Sequence, residues 1–376
     1  MFLVFSHTLV GHRLEYFHHL YEAAGCRINE SFIFVYPSEE ASLLSMMDWS
    51  KYSNVQLVEL PGLNNSSMHL CLSIKINKVL RKLIKKYKPK VIILPNIMAH
   101  MPFLPIYVRK TKVRGIIYGI YLYSWKTDTI KKRIIHAINY FQFAYCNIFD
   151  KVYMQSDAAA ARYLNGIFGS HHFAYLCDPV VKISTEGVCN LRRELNIPDD
   201  KIIILHPGDL SQRKGTLALL RGISICPKEV LDKYYFIFAG RLSSSIKREA
   251  LSLMDDINTK NSNLKFISGF LSFEYLGSLI YTCDILFIPY LLTNQSSGIV
   301  SYSAEFKKPV VVTNNGLLAK IVKKYHLGYI ISDSSDKTIS DFFYFAREQK
   351  WKSLENSYLQ DNSINNFTSV LFEKYV

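Results

Sequence analysis

The sequence predicts an α/β protein built from two doubly wound domains. Short apolar runs alternate with longer amphipathic ones, which is the βαβ pattern of a parallel sheet covered on both faces. The alternation breaks and restarts once, and 376 residues suit two or three domains of ~100–200 residues each. With 49% hydrophobic and 20% charged residues, the composition is that of a folded chain with a large core.

In chain order, FLVFSH, SFIFVYP, KVIILPN, RGIIYGI and KVYMQS read as strands, each too short for a buried helix. Helical patterns such as Leu14–Ala24 and Leu72–Lys86 lie between them. From Asp178 to Asp200 the chain turns to Asp-Pro, Ser-Thr-Glu-Gly and Pro-Asp-Asp, which is turn chemistry. KIIILHPG, KYYFIFAG, NLKFISG, CDILFIPY and KPVVVTN then read as five more strands. The expected domains are 1–184 and 185–355, with 356–376 a helix packing back on the first. The N-terminal MFLVFSHTLVGHRLEYF lacks the basic region and cleavage site of a signal peptide, and no apolar run of about 18 residues predicts a spanning helix. Seven cysteines without a C-x-x-C pair argue against a disulfide framework or structural zinc and for a reducing compartment.

The net charge of +14 is uneven. Residues 1–183 hold 22 basic and 11 acidic residues, so the first half carries most of the excess. Leu72–Lys90 has eight basic residues and no acidic one, with Ile76, Val79, Leu80, Leu83, Ile84 and Tyr87 at helical spacing. Asp128–Phe149 begins with Lys131, Lys132 and Arg133 and continues into Ile134, Ile138, Phe141 and Tyr145. Each stretch alone reads as a core-facing helix with a solvated basic face. Together with the charge excess they point to an anionic membrane surface. Nucleic acid is not expected, because no reader motif is present.

Open parallel sheets bind ligands outside the carboxyl ends of their strands, so the loops there are the candidate sites. In HPGDLSQRKGTLALLRGI a strand enters a loop with Gly208, Arg213 and Lys214, and a helix follows. Two adjacent cations before a helix N-terminus suit a diphosphate, although a solvated basic turn reads the same way. In PYLLTNQSSGIVSYSAEF, Ser296, Ser297 and Gly298 open a helix. They read either as phosphate donors or as a plain N-cap. Gly11 and His12 fall at the carboxyl edge of the first strand, as ligand contacts or as structural residues. There is no P-loop, no G-x-G-x-x-G after the first strand, no H-E-x-x-H and no G-x-S-x-G.

The succession of motifs over residues 200–340 resembles the family 4 glycosyltransferases, which have the GT-B fold. HPGDLSQRKG is similar to the family's G-x-L-x-x-x-K-G loop and sets Lys214 on the family's lysine. SNLKFISGFLSFEYLGSLIYTCDILFIPY, with Gly269, Tyr281, Asp284 and Pro289, and SSGIVSYSAEFKKPVVVTNNGLLAKIV resemble the runs that follow. The resemblance implies two Rossmann-like domains facing across a cleft and retaining transfer from a nucleotide-sugar, with no metal or other cofactor. Two departures stand out. Asp209 replaces the usual arginine, with Arg213 a candidate for the missing cation. The usual two glutamates are absent; their register falls on Asn294 and Tyr302, while Glu305 is out of register. The first half resembles the family only at GHRLEY, with Gly11 and Glu15.

The expected roles follow. Arg213 and Lys214 neutralise the diphosphate as the catalytic pair, assisted by Gly208, Ser296, Ser297 and Gly298. Gly269, Phe270 and Leu271 hold the base, Asn294 and Tyr302 stand in for the glutamates, and Gly11 and His12 line the sugar and acceptor side. The expected enzyme is cytoplasmic and peripheral at the inner face of the membrane. It moves a sugar to a glycan or lipid-linked acceptor in surface polysaccharide synthesis. A GT-B sugar-nucleotide epimerase and a non-catalytic sugar-nucleotide-binding or membrane-surface protein are the alternatives.

Overall fold

A computed structural model describes residues 1–10, 12–44, 48–61, 69–118, 129–180, 187–291, 296–346 and 357–373. They form two units, Met1–Pro179 with Asn362–Val376, and Val180–Asp361. The first unit runs β1 (Phe2–Phe5), α1 (His12–Gly25), β2 (Phe32–Pro37), β3 (Val55–Leu60), α2 (His69–Tyr87), β4 (Val91–Leu94), α3 (Leu104–Tyr107), β5 (Lys112–Ile117), α4 (Ile130–Tyr145), β6 (Phe149–Gln155), α5 (Ala158–Phe168) and β7 (Phe173–Leu176). Its sheet is parallel, in the order β3-β2-β1-β4-β5-β6-β7. The second unit runs β8 (Ile202–Pro207), α6 (Thr216–Ser224), α7 (Lys228–Leu231), β9 (Tyr234–Gly240), α8 (Lys247–Asn261), β10 (Leu264–Ser268), α9 (Phe273–Thr282), β11 (Ile285–Phe287), α10 (Gly298–Glu305), β12 (Val310–Thr313), α11 (Gly316–Tyr325), β13 (Gly328–Ile331), α12 (Asp336–Ala346) and α13 (Tyr358–Asp361). Its parallel order is β10-β9-β8-β11-β12-β13.

Both orders start in the middle of the sheet, run to one edge and restart on the other side of the first strand. This is the doubly wound order, with switch points between β1 and β4 and between β8 and β11. The central strands β1, β4 and β12 are buried along their whole length, which is why they read as unbroken apolar runs. Three strands that the sequence reading lacked, β3, β7 and β13, are sheet edges and partly exposed. An edge strand meets one neighbour and some water, so its sequence carries a weaker apolar signature.

Each unit has its own core. Phe236, Phe238 and Phe287 from the second sheet meet Phe342 and Phe343 of α12. In the first unit Phe2, Phe32 and Phe34 meet Phe17 and Tyr21 of α1. The chain returns to this core through α14 (Ile364–Leu371), which adds Phe367, Leu371 and Phe372. Phe372 lies edge-on to Phe2 and Phe32, and Arg27 donates to its carbonyl at 2.9 Å. Arg114 ties this return down. Its side chain is 4% exposed, pairs with Asp150 at 2.5 Å, and donates to the carbonyls of Leu371 and Glu373 at 2.9 and 2.6 Å.

Each basic stretch, taken alone, reads from the sequence as core-facing. In α2 this holds, with Ile76, Leu80 and Leu83 buried. In α4 it does not: Ile134, Ile138, Phe141 and Tyr145 are exposed, and His136, Asn139, Tyr140 and Phe143 are buried. α4 carries two apolar or aromatic stripes at the same period, and periodicity alone cannot say which turns inward. All seven cysteines are free thiols. No helix among the described residues is long and apolar enough to cross a membrane.

Arg114→Ala leaves Asp150 without its partner and releases two carbonyls. It should lower stability by about 3–5 kcal/mol. Limited proteolysis should then cleave first near α14, with the second unit still intact.

Candidate functional site

The carboxyl edge of the second sheet gathers the site. β8, β11 and β12 are neighbours, and each is followed by a helix: α6, α10 and α11. Three helix N-termini therefore lie at one edge, each with a partial positive charge and unspent N–H groups.

The lysine loop is pressed onto the chain that follows β11. Gly215 sits at φ +74, and a Cβ there would lie 2.1 Å from the Pro289 carbonyl oxygen, so only glycine fits. The Leu291 N–H donates to the Arg213 carbonyl at 3.0 Å. These contacts bring the two motifs singled out in the sequence together at the switch point. Lys214 Nζ donates to the Tyr290 hydroxyl at 2.7 Å and lies 4.0 Å from its ring centroid. The same hydroxyl is 3.1 Å from Ser297 Oγ. Tyr290 and Ser297 are buried, and Lys214 is half-buried.

Ser297 has the backbone of an N-cap, yet its side chain makes no cap bond. Its hydroxyl is spent on Tyr290 instead, which disfavours the plain N-cap reading. Gly298 begins α10, and a Cβ built on it meets no described atom within 4 Å. Tyr302 lies one turn further on and is half-buried, as is Ser296. Asn294 and Gly11 lie outside the described residues, and of His12, which opens α1, only the backbone is described.

Beneath the lysine loop lies His206, which is buried. Its Nδ1 is 2.7 Å from the Phe287 carbonyl, which only accepts, so Nδ1 carries the proton. Its Nε2 then accepts from Thr216 Oγ1 at 3.0 Å, fixing the first residue of α6. Burial pushes this imidazole down to about 4, the bond to Phe287 acts against that, and the Lys214 charge adds to it. The histidine is a neutral strut between two strands and a helix start.

Gly208 and Gly269 flank this group at the ends of β8 and β10. The Gly208 N–H donates to Ala239 O at 2.8 Å, and the Gly269 N–H to Gly240 O at 3.3 Å. Phe270 is 95% exposed and Leu271 half-buried. Arg213 points into solvent, and the cation beside Asp209 is Arg241, at 3.7 Å. Tyr290, His206 and Arg241 do not stand out in the sequence. The first two read as strand residues, although both belong to the chain flanking the switch point, where their position could have flagged them.

In the first unit the loop after β1 is held by buried Glu40, which accepts from Thr8 Oγ1 at 2.9 Å and from the Leu9 N–H. In the first turn of α1, Glu15 has its carboxyl pushed up by burial and then by Asp178. Asp178 accepts from the Tyr16 hydroxyl and, at 3.0 Å, from Gln155 Nε2.

Two outcomes are expected. Lys214→Ala should weaken nucleoside-diphosphate binding by about 1.5–3 kcal/mol, and Tyr290→Phe by about 0.5–1.5 kcal/mol. Calorimetric titration beside melting temperatures checks both, and the lysine variant should melt close to wild type. The second concerns pH. An unfolded His206 takes its proton near 6.5 and the folded one only near 4, so acid favours unfolding. Stability should rise with pH across that window and level off above it. A melting series on His206→Gln should show a shallower slope there than wild type.

The family described as glycosyl transferases group 1 matches residues 189–350. No curated protein matches the chain. Among solved structures, a glycosyltransferase from Rickettsia africae is 14% identical, with a TM-score of 0.67 over 98% of this chain and 94% of that one. HepE from Anabaena in complex with UDP and glucose is 14% identical, with a TM-score of 0.63 over 99% and 95%. A UDP-forming trehalose-phosphate synthase from Burkholderia vietnamiensis is 9% identical, with a TM-score of 0.70 over 98% of both chains. The group 1 match lies over the second unit, and the likeness to these structures shows the GT-B fold over the length of the chain.

Proposed function

We propose that this enzyme moves a sugar, with retention of configuration, from a nucleotide-sugar to a glycan or lipid-linked acceptor during surface polysaccharide synthesis. The observation that carries the donor side is the Lys214–Tyr290–Ser297 chain at the switch point, beside three helix N-termini. Breaking the sugar–phosphate bond leaves negative charge on the departing diphosphate. Lys214, Arg213 and the N–H groups around Gly298 stabilise that charge as it develops, without reorganising during the step. In this reading no metal is required, because protein cations and helix termini meet the charge. Gly208 and Gly269 let the backbone approach the ligand, and the exposed ring of Phe270 offers a face to the base. HepE has also been solved with UDP-glucose, which makes UDP-sugars the first donors to try. The first unit, with Gly11 and His12, takes the acceptor and attaches to the cytoplasmic, anionic face of the membrane.

The decisive assay offers a panel of nucleotide-sugars together with lipid-linked and glycan acceptors. A new glycan with the donor's anomeric configuration is expected. Isomerised donor would instead indicate the epimerase, and donor binding without turnover a binding protein. Lys214→Ala and Arg213→Ala should each raise the barrier by about 2–4 kcal/mol. Near-wild-type turnover in both would remove the diphosphate assignment.

A further inference from the structure

In α4, Ile130, Ile134, Ile138, Phe141 and Tyr145 are 45–74% exposed. At 3.6 residues per turn they fall within an arc of about 100°. The buried side of the helix, His136, Asn139, Tyr140 and Phe143, lies opposite. The Tyr145 hydroxyl donates to the Phe168 carbonyl at 2.9 Å and joins the stripe to α5, which exposes Tyr163 and Ile167 one turn apart. Seven large apolar or aromatic side chains held in water on two adjacent helices are more than scattered surface residues, and they mark a contact face.

The charges name the partner. Lys131 and Arg133 flank the stripe on its two sides, with Lys132 behind, and α5 adds Arg162. Neither helix contains Asp or Glu. A second copy of this face would bring like charges together across a twofold contact, which is repulsive. An anionic leaflet satisfies both features, taking apolar side chains at the acyl boundary and cations at the phosphates. Tyr145 and Tyr163 suit the same boundary.

We propose that α4 and α5 are a membrane-insertion face, with the apolar stripe entering an anionic leaflet and Lys131, Arg133 and Arg162 at the headgroups. This rests on the membrane attachment proposed above and assigns it a surface and a driving force. Attachment comes chiefly from apolar insertion. The lysines of α2, whose apolar side is spent on the core, contribute only long-range attraction.

The test is flotation of the full chain with vesicles of equal parts phosphatidylglycerol and phosphatidylcholine, across a salt series. Wild type should keep a bound fraction at salt high enough to screen surface charge. The variant Ile138→Glu with Phe141→Glu should bind about tenfold less at every salt concentration. It should melt like wild type and keep its nucleoside-diphosphate affinity, since both positions are exposed. Changing Lys75, Lys78, Lys82 and Lys85 to Gln should lower only the salt-sensitive part, leaving the bound fraction at high salt unchanged. Equal flotation of wild type and the Glu variant overturns the proposal. So does a wild-type dimer, absent in the Glu variant, that does not float. Wild type that fails to float yet transfers sugar in solution overturns the membrane face and leaves the glycosyltransferase reading standing.

Discussion

The site depends on the contact between the lysine loop and the chain leaving β11. Gly215 lies so close to the Pro289 carbonyl that no side chain fits between them, and this closeness brings Lys214 to Tyr290. Remove it, and two loops far apart in sequence no longer meet. The doubly wound topology makes the contact possible, since β8 and β11 are neighbours only because the chain restarts on the other side of β8. His206 braces the arrangement from below. It is held neutral by burial and spends one nitrogen on β11 and the other on the start of α6.

The fold was legible wherever burial was complete. Strands such as β4 and β12, covered on both faces, announce themselves as apolar runs, and the break after Asp178 shows as turn chemistry. Of the four sheet edges β10 was legible and β3, β7 and β13 were not, because a half-wet strand easily looks like a loop with some apolar residues. At the candidate site, Lys214, Ser297 and Gly298 could be singled out because cations and Ser-Gly turns before helices have a recognisable chemistry. Tyr290 was missed because an aromatic residue ending a strand is usually core. Only the fold shows that its hydroxyl reaches both Lys214 and Ser297.

α4 shows the same limit from the other side. Its apolar positions were read correctly, and their direction was not. Ile134, Ile138, Phe141 and Tyr145 recur at the same period as His136, Asn139, Tyr140 and Phe143. The choice between the two is made by the sheet beneath, where Phe143 meets Phe149 of β6 at 5.1 Å between centroids. Packing in a core therefore fixes the inward face, and what remains outside is free to be selected for contact with something else.

Tyr290 also suits the lysine it holds. A carboxylate this close to Lys214 would form an ion pair and cancel its charge. A hydroxyl and a ring hold the ammonium without neutralising it, the first by accepting a hydrogen bond and the second through its negative face. Ser297, linked to the same hydroxyl, keeps the start of α10 in register with the lysine while its own side chain leaves the helix N–H groups uncapped. A site of this kind stays electropositive and is organised by neutral groups, so the diphosphate binding proposed for it would not have to compete with an internal salt bridge.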